Sequence, residues 1–555
     1  MLKKLLIAFT AVSCLSLGIV AEVASTSGAS GTVLTEESNT GVTFTNNFNP
    51  FNGQSFATEM NARSLIFEPL YEINYLKANT NYPWLATGYR WGSAGKSITF
   101  TLRTGVKFSD GSSFGPTDVA YTFNIFRQFS DANYAGIPAQ SQAPTTSGNT
   151  VTLYFSAPAY QSFSSVAGTA LMVQSGEFGT TDPGTTTLAG ASAVGTGPYT
   201  QVNFSTQIVK FAQNPNYWDL SHLAASEVDI PSEASNTNAA TDLANGILDW
   251  AGNDIANVNQ VFVSKNPATN HTFFAAGNTV TLTFNVKYGF LSDPKVRAAI
   301  SAGINRQALA TKGESGYEKP ATSSSGLILP NQKAYLTKAS TNDLKPSAQP
   351  ATVKSILRSD GFKKVGKWWE KNGKKIQFQV EDPSNYTDYY ADAQLIQTEL
   401  QAVGIDATAD GVQDTKWYSD LAAGTFQSAI HWGNGGASPY VQYSAWFDYN
   451  QFVKKTPTNA GNDFGRFYSA AAEKDLATLV STSPSNAKAI TTATQALGQI
   501  MTKQMPYAPL LYGADWDVYS TARFTGWPTA SNPYIDPSPN DPELPYILTH
   551  ITAVG

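Results

Sequence analysis

The sequence predicts an α/β protein with a largely parallel sheet, organised in two or three domains. Two observations carry this reading. Between residues 376 and 432, apolar runs of strand length alternate with stretches at helical spacing, the pattern of consecutive βαβ units. The chain also has 555 residues with 42% apolar content, more than a single core is expected to hold.

Taken in order, the first segment reads as an export signal. Lys3 and Lys4 precede an apolar run from Leu5 to Ala21, and a Ser/Thr/Gly tract follows. A run of about 17 apolar residues lies at the lower edge of what spans a bilayer, so a membrane anchor is the alternative. The single cysteine, Cys14, follows Ala11-Val12-Ser13, a loose likeness to the lipobox at which bacterial lipoproteins are cleaved and lipidated. A cysteine discarded with the hydrophobic run is the other reading, and both stay open. In either case the mature chain has no internal disulfide, and its core must carry the stability.

Farther on, alternation at Ile98, Phe100 and Leu102 predicts a strand, Asp110-Gly111 a turn, and Thr117-Asp118 a cap. The helix after that cap would bury Val119, Phe123 and Phe126. In Gly195-Thr196-Gly197-Pro198-Tyr199, glycine is expected to supply positive φ and proline a stiff exit. Asp293-Pro294 marks a helix start whose buried face is Val296, Ala299 and Ile300. The basic segment 363–375, with Trp368 and Trp369, reads as an exposed hairpin. Then come a strand at Ile376–Val380, a helix with Ala393, Ile396, Leu400 and Val403, and Gly404 as its stop. A strand at Ile405–Ala409, a helix with Trp417 and Leu421, and a strand at Phe426–Trp432 complete the unit. Ligands of such sheets gather at the carboxyl ends of strands, which directs attention to Trp432 and the loop after it.

Charge narrows the function. Charged residues make up 14% of the chain, against roughly 25% in an average soluble domain. A net charge of -6 leaves no basic stripe, so nucleic acid and anionic membranes are poor partners. So weakly charged a chain suits an acidic habitat, where protonated carboxylates lose their pairing value. The four histidines, His222, His271, His431 and His550, are scattered. No nucleophile elbow, phosphate loop or His/Cys cluster appears, so no enzyme, cofactor or metal is expected. Carboxylates are numerous enough to keep a secreted glycoside hydrolase as a minor alternative. His431 beside Trp432 raises nickel, although a lone strand histidine more often packs.

Several segments together resemble the extracellular solute-binding proteins of family 5, receptors of ABC importers for peptides, some oligosaccharides and nickel. They are Phe67-Glu68-Pro69-Leu70-Tyr71, Pro83-Trp84-Leu85-Ala86, Leu102 to Gly111, Asp118 to Phe123 and Gly195 to Tyr199. Asn214 to Trp218, Gly246 to Asp249, Phe284 to Arg306 and Gln504-Met505-Pro506 follow in the family's order. The resemblance implies a two-lobed periplasmic-binding-protein-like fold of class II, the large three-subdomain type, closing at a hinge. Lobe I would comprise residues 32–75, 205–287 and 512–555, with residues 76–204 as an inserted subdomain; lobe II would be 288–511, and the hinge would lie near Lys287 and Leu511. Trp84, Trp218 and Trp250 would be structural. The implied protein is exported, monomeric and without a cofactor. Its partners would be a small solute and an importer permease.

The resemblance also bears on the solute. Peptide-binding members usually present an acid just after the tryptophan-bearing strand, to pair a buried ammonium. Here Trp432-Gly433-Asn434-Gly435-Gly436-Ala437-Ser438-Pro439-Tyr440 contains none, and Gln427 stands where members often show Asp. The run resembles that of cello-oligosaccharide-binding members. Sugars offer apolar ring faces to Trp and Tyr, and hydroxyls to Asn and Ser. A neutral oligosaccharide is therefore preferred, with an oligopeptide or dipeptide as the alternative. Expected ligand contacts are Trp432 and Tyr440 by stacking, Tyr443 and Trp446 behind them, and Asn434. Asn46, Asn47 and Phe48 would reach the cleft from lobe I.

Overall fold

Two long strands, Asn270–Phe284 and Tyr507–Ser520, tie the molecule together. They pair antiparallel from Asn270 opposite Ser520 to Thr283 opposite Tyr507. Along them the apolar side chains change core. Tyr519 packs with residues 34–230 and Val518 with residues 239–262, whereas Val280, Leu282, Phe284, Leu510 and Leu511 pack with residues 291–430. The computed structural model describes residues 32–37, 40–53, 55, 62–436, 438–450, 463–539 and 543–554. The segment 1–31 expected to direct export, with Cys14, and Ala437 of the loop lie outside them.

In the first lobe, Val33–Thr35 lies parallel to Glu227–Pro231, and Ile208–Gln213 and Tyr199–Phe204 extend that sheet antiparallel. A second sheet, all antiparallel, is formed by Ala86–Trp91, Ser97–Leu102, Thr150–Tyr154 and Thr145–Ser147. The helix Pro116–Gln128 buries Val119, Phe123 and Phe126, the face expected of it. Its start differs from the expected one: Gly115 is the cap, and its N–H donates to Asp118 Oδ2 at 2.8 Å from three residues into the helix. Asp110-Gly111 is the expected turn, with Gly111 at φ +88°.

Three of the sequence motifs converge on one buried carboxyl. Glu68 Oε1 accepts the indole N–H of Trp84 at 2.7 Å and of Trp218 at 3.2 Å. Arg103 lies 4.0 Å above the Trp218 ring. These tryptophans are structural, as is Trp250, whose indole donates to Asp517 Oδ1 at 2.8 Å. Gly195 and Gly197 are needed for a reason other than positive φ. A Cβ at Gly195 would lie 1.9 Å from Ile66 O, and one at Gly197 would lie 2.5 Å from Leu65 O, so close backbone approach requires them.

The second lobe contains the expected strand–helix unit. Strand Gln377–Pro383 pairs parallel with both Asp406–Val412 and Ser428–Trp432. The connecting helices are Thr387–Val403 and Asp414–Ala423, ended by Gly404 at φ +91° and Gly424 at φ +77°. The sheet as a whole is mixed and not largely parallel. Strand 270–284 enters from the first lobe, antiparallel to strand 428–432 on one side and strand 507–520 on the other. In the basic hairpin Trp369 is buried, its indole donating to Val403 O at 2.9 Å. Trp368 stays half-buried under Lys367, 4.4 Å from its ring.

Candidate functional site

Strand Ser428–Trp432 ends opposite Val280, at the crossing, where the two paired long strands pass from one core to another. Their register shifts between Ala276 and Asn278, and glycines sit at the shift. A Cβ at Gly277 would lie 1.9 Å from the Asp515 carboxylate, and one at Gly513 2.3 Å from the Asn278 side chain. The loop after Trp432 packs onto this crossing. Gly433 N–H donates to Thr279 O at 2.8 Å, and a Cβ at Gly435 would lie 2.4 Å from Gly277 O. Gly435 therefore lets the loop lie directly on the crossing backbone. The loop ends at Ser438, which caps helix Pro439–Phe447 by accepting from Tyr440 N–H at 3.1 Å. Ser438 Oγ also donates at 2.8 Å to Oε1 of Gln161, whose Nε2 donates to Leu479 O at 3.1 Å. Neutral side chains thus tie this loop to the Tyr160–Ser162 turn.

Trp432 is half-buried at the end of an aromatic row. Its ring lies 4.7 Å from His431 at 24° and 6.3 Å from Tyr389 at 26°, with Trp417 and Tyr386 at 5.7 and 6.5 Å. Burial in that row pushes the His431 pKa down to about 4, so the ring is neutral, and its Nδ1 bonds to Trp432 O. Among the described residues no three His, Cys, Asp or Glu side chains gather to hold a metal. Asn434 is half-buried and shares a small void with Trp432, Thr283 and Phe464. Tyr440 is half-buried next to Asp448; burial, then that carboxylate, raises its phenol.

The other expected contacts lie elsewhere. Tyr443 is fully buried, stacked on Phe447 at 5.7 Å, with its hydroxyl donating to Ser325 O at 2.9 Å. Trp446 is 4% exposed and stacked on Tyr507 at 5.2 Å. The helix turns this face into the core, because Gln442, Tyr443, Trp446 and Phe447 recur at helical spacing. In the first lobe Phe48 is fully buried, its ring edge-on to Phe211 at 5.9 Å. Asn47 Oδ1 accepts from Leu188 N–H at 3.0 Å and Asn49 N–H at 3.2 Å. Asn46 is exposed, and its Oδ1 accepts from Gly190 N–H at 3.1 Å. In this conformation Tyr443, Trp446 and Phe48 are core residues and the two asparagines brace the 183–190 segment; Trp432 and Asn434 line one void, while Tyr440 packs against the core that holds Tyr443 and Trp446.

Sequence reasoning passed over the opposite side of the row. Tyr386, Asp388 and Tyr389 follow the carboxyl end of strand Gln377–Pro383, the same place in the sheet that singled out Trp432. With them comes a group of carboxyls. Asp382, Asp392, Glu314 and Glu318 are 1%, 0%, 5% and 6% exposed, and all are pushed well up, by burial first and then by one another or by Asp388. Glu318 Oε1 accepts the Tyr389 hydroxyl at 3.0 Å and Ala514 N–H at 3.2 Å.

The family model for bacterial extracellular solute-binding proteins, family 5 (middle), matches residues 80–454, more than half of the chain. A nickel-binding periplasmic protein of Escherichia coli K12 is 24% identical over 402 residues, 70% of this chain and 74% of that protein. Among solved structures, a periplasmic oligopeptide-binding protein of an oligopeptide ABC transporter from Thermotoga maritima superposes with TM-score 0.83 at 24% identity. It covers 95% of this chain and 100% of that one. The same kind of Thermotoga maritima protein with mannohexaose bound gives TM-score 0.75 at 24% identity, covering 94% and 99%. These neighbours share the two-lobed fold, and the family is one of substrate-binding receptors. The chain belongs to the bacterial extracellular solute-binding proteins of family 5.

Proposed function

We propose that this receptor closes its two lobes on a neutral oligosaccharide and presents it to the permease of an ABC importer. The observation that carries the ligand class is the uncharged loop from Gly433 to Tyr440, which lies on the strand crossing and is joined to the other lobe through Ser438 and Gln161. A buried ammonium would need a carboxylate partner there; hydroxyls need the neutral donors and acceptors that Asn434, Ser438 and Gln161 supply. Trp432 with Tyr386 and Tyr389 supplies aromatic surface for ring faces. The mannohexaose-bound neighbour supports the reading, since the same fold there holds an oligosaccharide.

The lobes in this reading are residues 32–75, 205–287 and 512–555, with 76–204 inserted, against 288–511. The glycine-bearing register shift at Gly277 and Gly513 is the flexing point, ten residues before Lys287 and two after Leu511. Contacts from both lobes favour the closed state, which the importer recognises. The chain acts as an exported monomer, with Cys14 as the lipidation site if it is retained.

A second reading, an oligopeptide receptor, is favoured by one observation. Burial, and then the Asp388 carboxylate, raises Asp254, which offers an ammonium acids outside the loop. A thermal-shift and calorimetric panel of mannohexaose, cello-oligosaccharides and short peptides tests both. A solute at 100 times its Kd should add about 2.7 kcal/mol of stability. Stabilisation by peptides with no response to sugars overturns the oligosaccharide reading, and steady hydrolysis of a sugar overturns the receptor.

A further inference from the structure

Four aromatic side chains that the capture described above does not use, Tyr89, Trp91, Tyr160 and Phe163, line a cavity of about 280 Å³ that reaches Ser438, the end of the uncharged loop. Tyr89 stands 4.4 Å from Phe163 and Tyr160 stands 5.0 Å from Trp91. The second pair meets edge-on at 66°, which leaves the faces of one ring uncovered by the other. Trp91 and Phe163 pack with the core of residues 34–230, whereas Tyr335 and Ile490, which also line the cavity, pack with the core of residues 327–507. Two neutral hydrogen bonds join these groups across it: Asn79 Nδ2 donates to the Tyr335 hydroxyl at 3.0 Å, and Ser438 Oγ to Gln161 Oε1 at 2.8 Å.

None of the lining residues is Asp, Glu, Lys, Arg or His. The walls include the hydroxyls of Thr80, Tyr160, Ser164 and Thr491, which have no hydrogen-bond partner among the described residues and are not shut off from solvent. These features narrow the ligand. An ammonium or a carboxylate would enter with nothing to pair its charge. A purely apolar group would displace water from the four hydroxyls and leave them unpaired. A sugar ring meets both demands, with an apolar face for the aromatic rings and hydroxyls for the wall. The volume lies just below the roughly 300–1,000 Å³ of small-molecule sites, so it suits one ring and not a chain.

We propose that this cavity binds one neutral pyranose ring, supplied as the terminal unit of the captured oligosaccharide, whose preceding units lie along the loop from Gly433 to Ser438. The source of the ring rests on the oligosaccharide reading above; the chemistry of the cavity does not, because a free monosaccharide offers the same face and hydroxyls. A ring held there touches residues of both cores. Such contacts exist only while the two stand together, so they add to the preference for the closed state and favour longer sugars over shorter ones.

Calorimetry of the whole chain with manno-oligosaccharides of increasing length is the test. Wild-type affinity should rise at least about fivefold at the length whose terminal unit reaches the cavity, the gain expected of a stacking contact. Trp91→Ala removes one ring, and Ala487→Trp fills the cavity from the exposed first residue of helix Ala487–Gln504. Both should lose the gain, and the second variant decides the matter if the first fails to fold. A gain retained in Ala487→Trp overturns the proposal, as does a wild-type affinity that is the same at every length. Free mannose and glucose, followed by saturation-transfer NMR, separate the two sources. Transfer that Ala487→Trp abolishes, in a protein that binds no oligosaccharide, upholds the cavity as a monosaccharide site and rejects the oligosaccharide reading alone. No response to sugars of either kind overturns both.

Discussion

Raising the pH from 4.5 to 7 should destabilise the first lobe. Glu36 is 2% exposed, Glu68 is fully buried, and among the described residues neither has a basic partner. Burial pushes Glu36 up to about 8 and Glu68 up to about 7 from an ordinary 4.5. A carboxyl whose folded pKa is raised keeps its proton in the folded state after the unfolded chain has lost it. Its stabilising effect is therefore complete below pH 4.5 and is lost as pH rises towards 7 or 8. At pH 7 each of the two costs about 3 kcal/mol relative to pH 4.5. Together they approach the stability of a typical domain.

Water entry and local relaxation will reduce the sum, so a fall of about 5 °C in the first-lobe transition is the expected order. Differential scanning calorimetry between pH 4 and pH 8 reads it. His431 acts in the opposite sense in the second lobe: with its pKa pushed down to about 4, it costs stability as pH falls below 6.5. In that lobe it is outnumbered by Glu314, Glu318, Asp382 and Asp392, all raised like Glu36, so the second lobe should also lose stability as the pH rises. Asp110, lowered by hydrogen bonds from Ser112, and Glu227, lowered by its bond from Lys210, set the acid limit, since their contributions vanish below about pH 4. A first-lobe transition that stays level or rises from pH 4.5 to pH 7 would refute the reasoning.

Three substitutions test the site. Trp432→Ala should weaken solute affinity at least fivefold by calorimetry, about 1 kcal/mol or more, and a change under twofold would remove Trp432 from the site. Tyr443→Phe should leave affinity unchanged and lower stability by about 1 to 2 kcal/mol in chemical denaturation, because it strands the buried Ser325 carbonyl. Gly435→Ala should reduce both affinity and melting temperature, by about 1 to 3 kcal/mol in stability, because its Cβ meets backbone at Gly277 that cannot move aside as a side chain can.

The strand–helix unit was legible because local signals agreed: apolar spacing placed helix Thr387–Val403, and Gly404 ended it in the left-handed conformation that glycine favours. The mixed character of the sheet was not legible. It depends on strand 270–284 arriving beside strand 428–432 from another part of the chain, a pairing that no local pattern encodes. The aromatic residues show the same limit. Trp432 and Tyr443 are eleven positions apart and equally apolar, yet the first ends a strand at the crossing and the second faces inward from a helix. Phe48 was placed by family likeness, and its burial follows from the 183–190 segment folding over it, which only the tertiary structure reveals.

The low charge of the chain and its unpaired carboxyls belong to one argument. Burial keeps Glu36, Asp392 and Asp517 protonated at neutral pH, where the unfolded chain has lost those protons, and this cost recurs in both lobes. In acid the same groups are neutral hydrogen-bonding side chains, and pairing them with lysine or arginine brings no advantage. A protein working there has little reason to retain the bases, which accounts for a 14% charged composition without appeal to the ligand. It also bears on the loop after Trp432. In acid a carboxylate is a poor partner for an ammonium, so the missing acid in that loop argues against a peptide most strongly if the receptor works at neutral pH. The direction in which affinity changes between pH 5 and pH 7 separates the cases: tighter binding in acid leaves the neutral loop as the ligand determinant, and weaker binding transfers that role to Asp254 and Asp388.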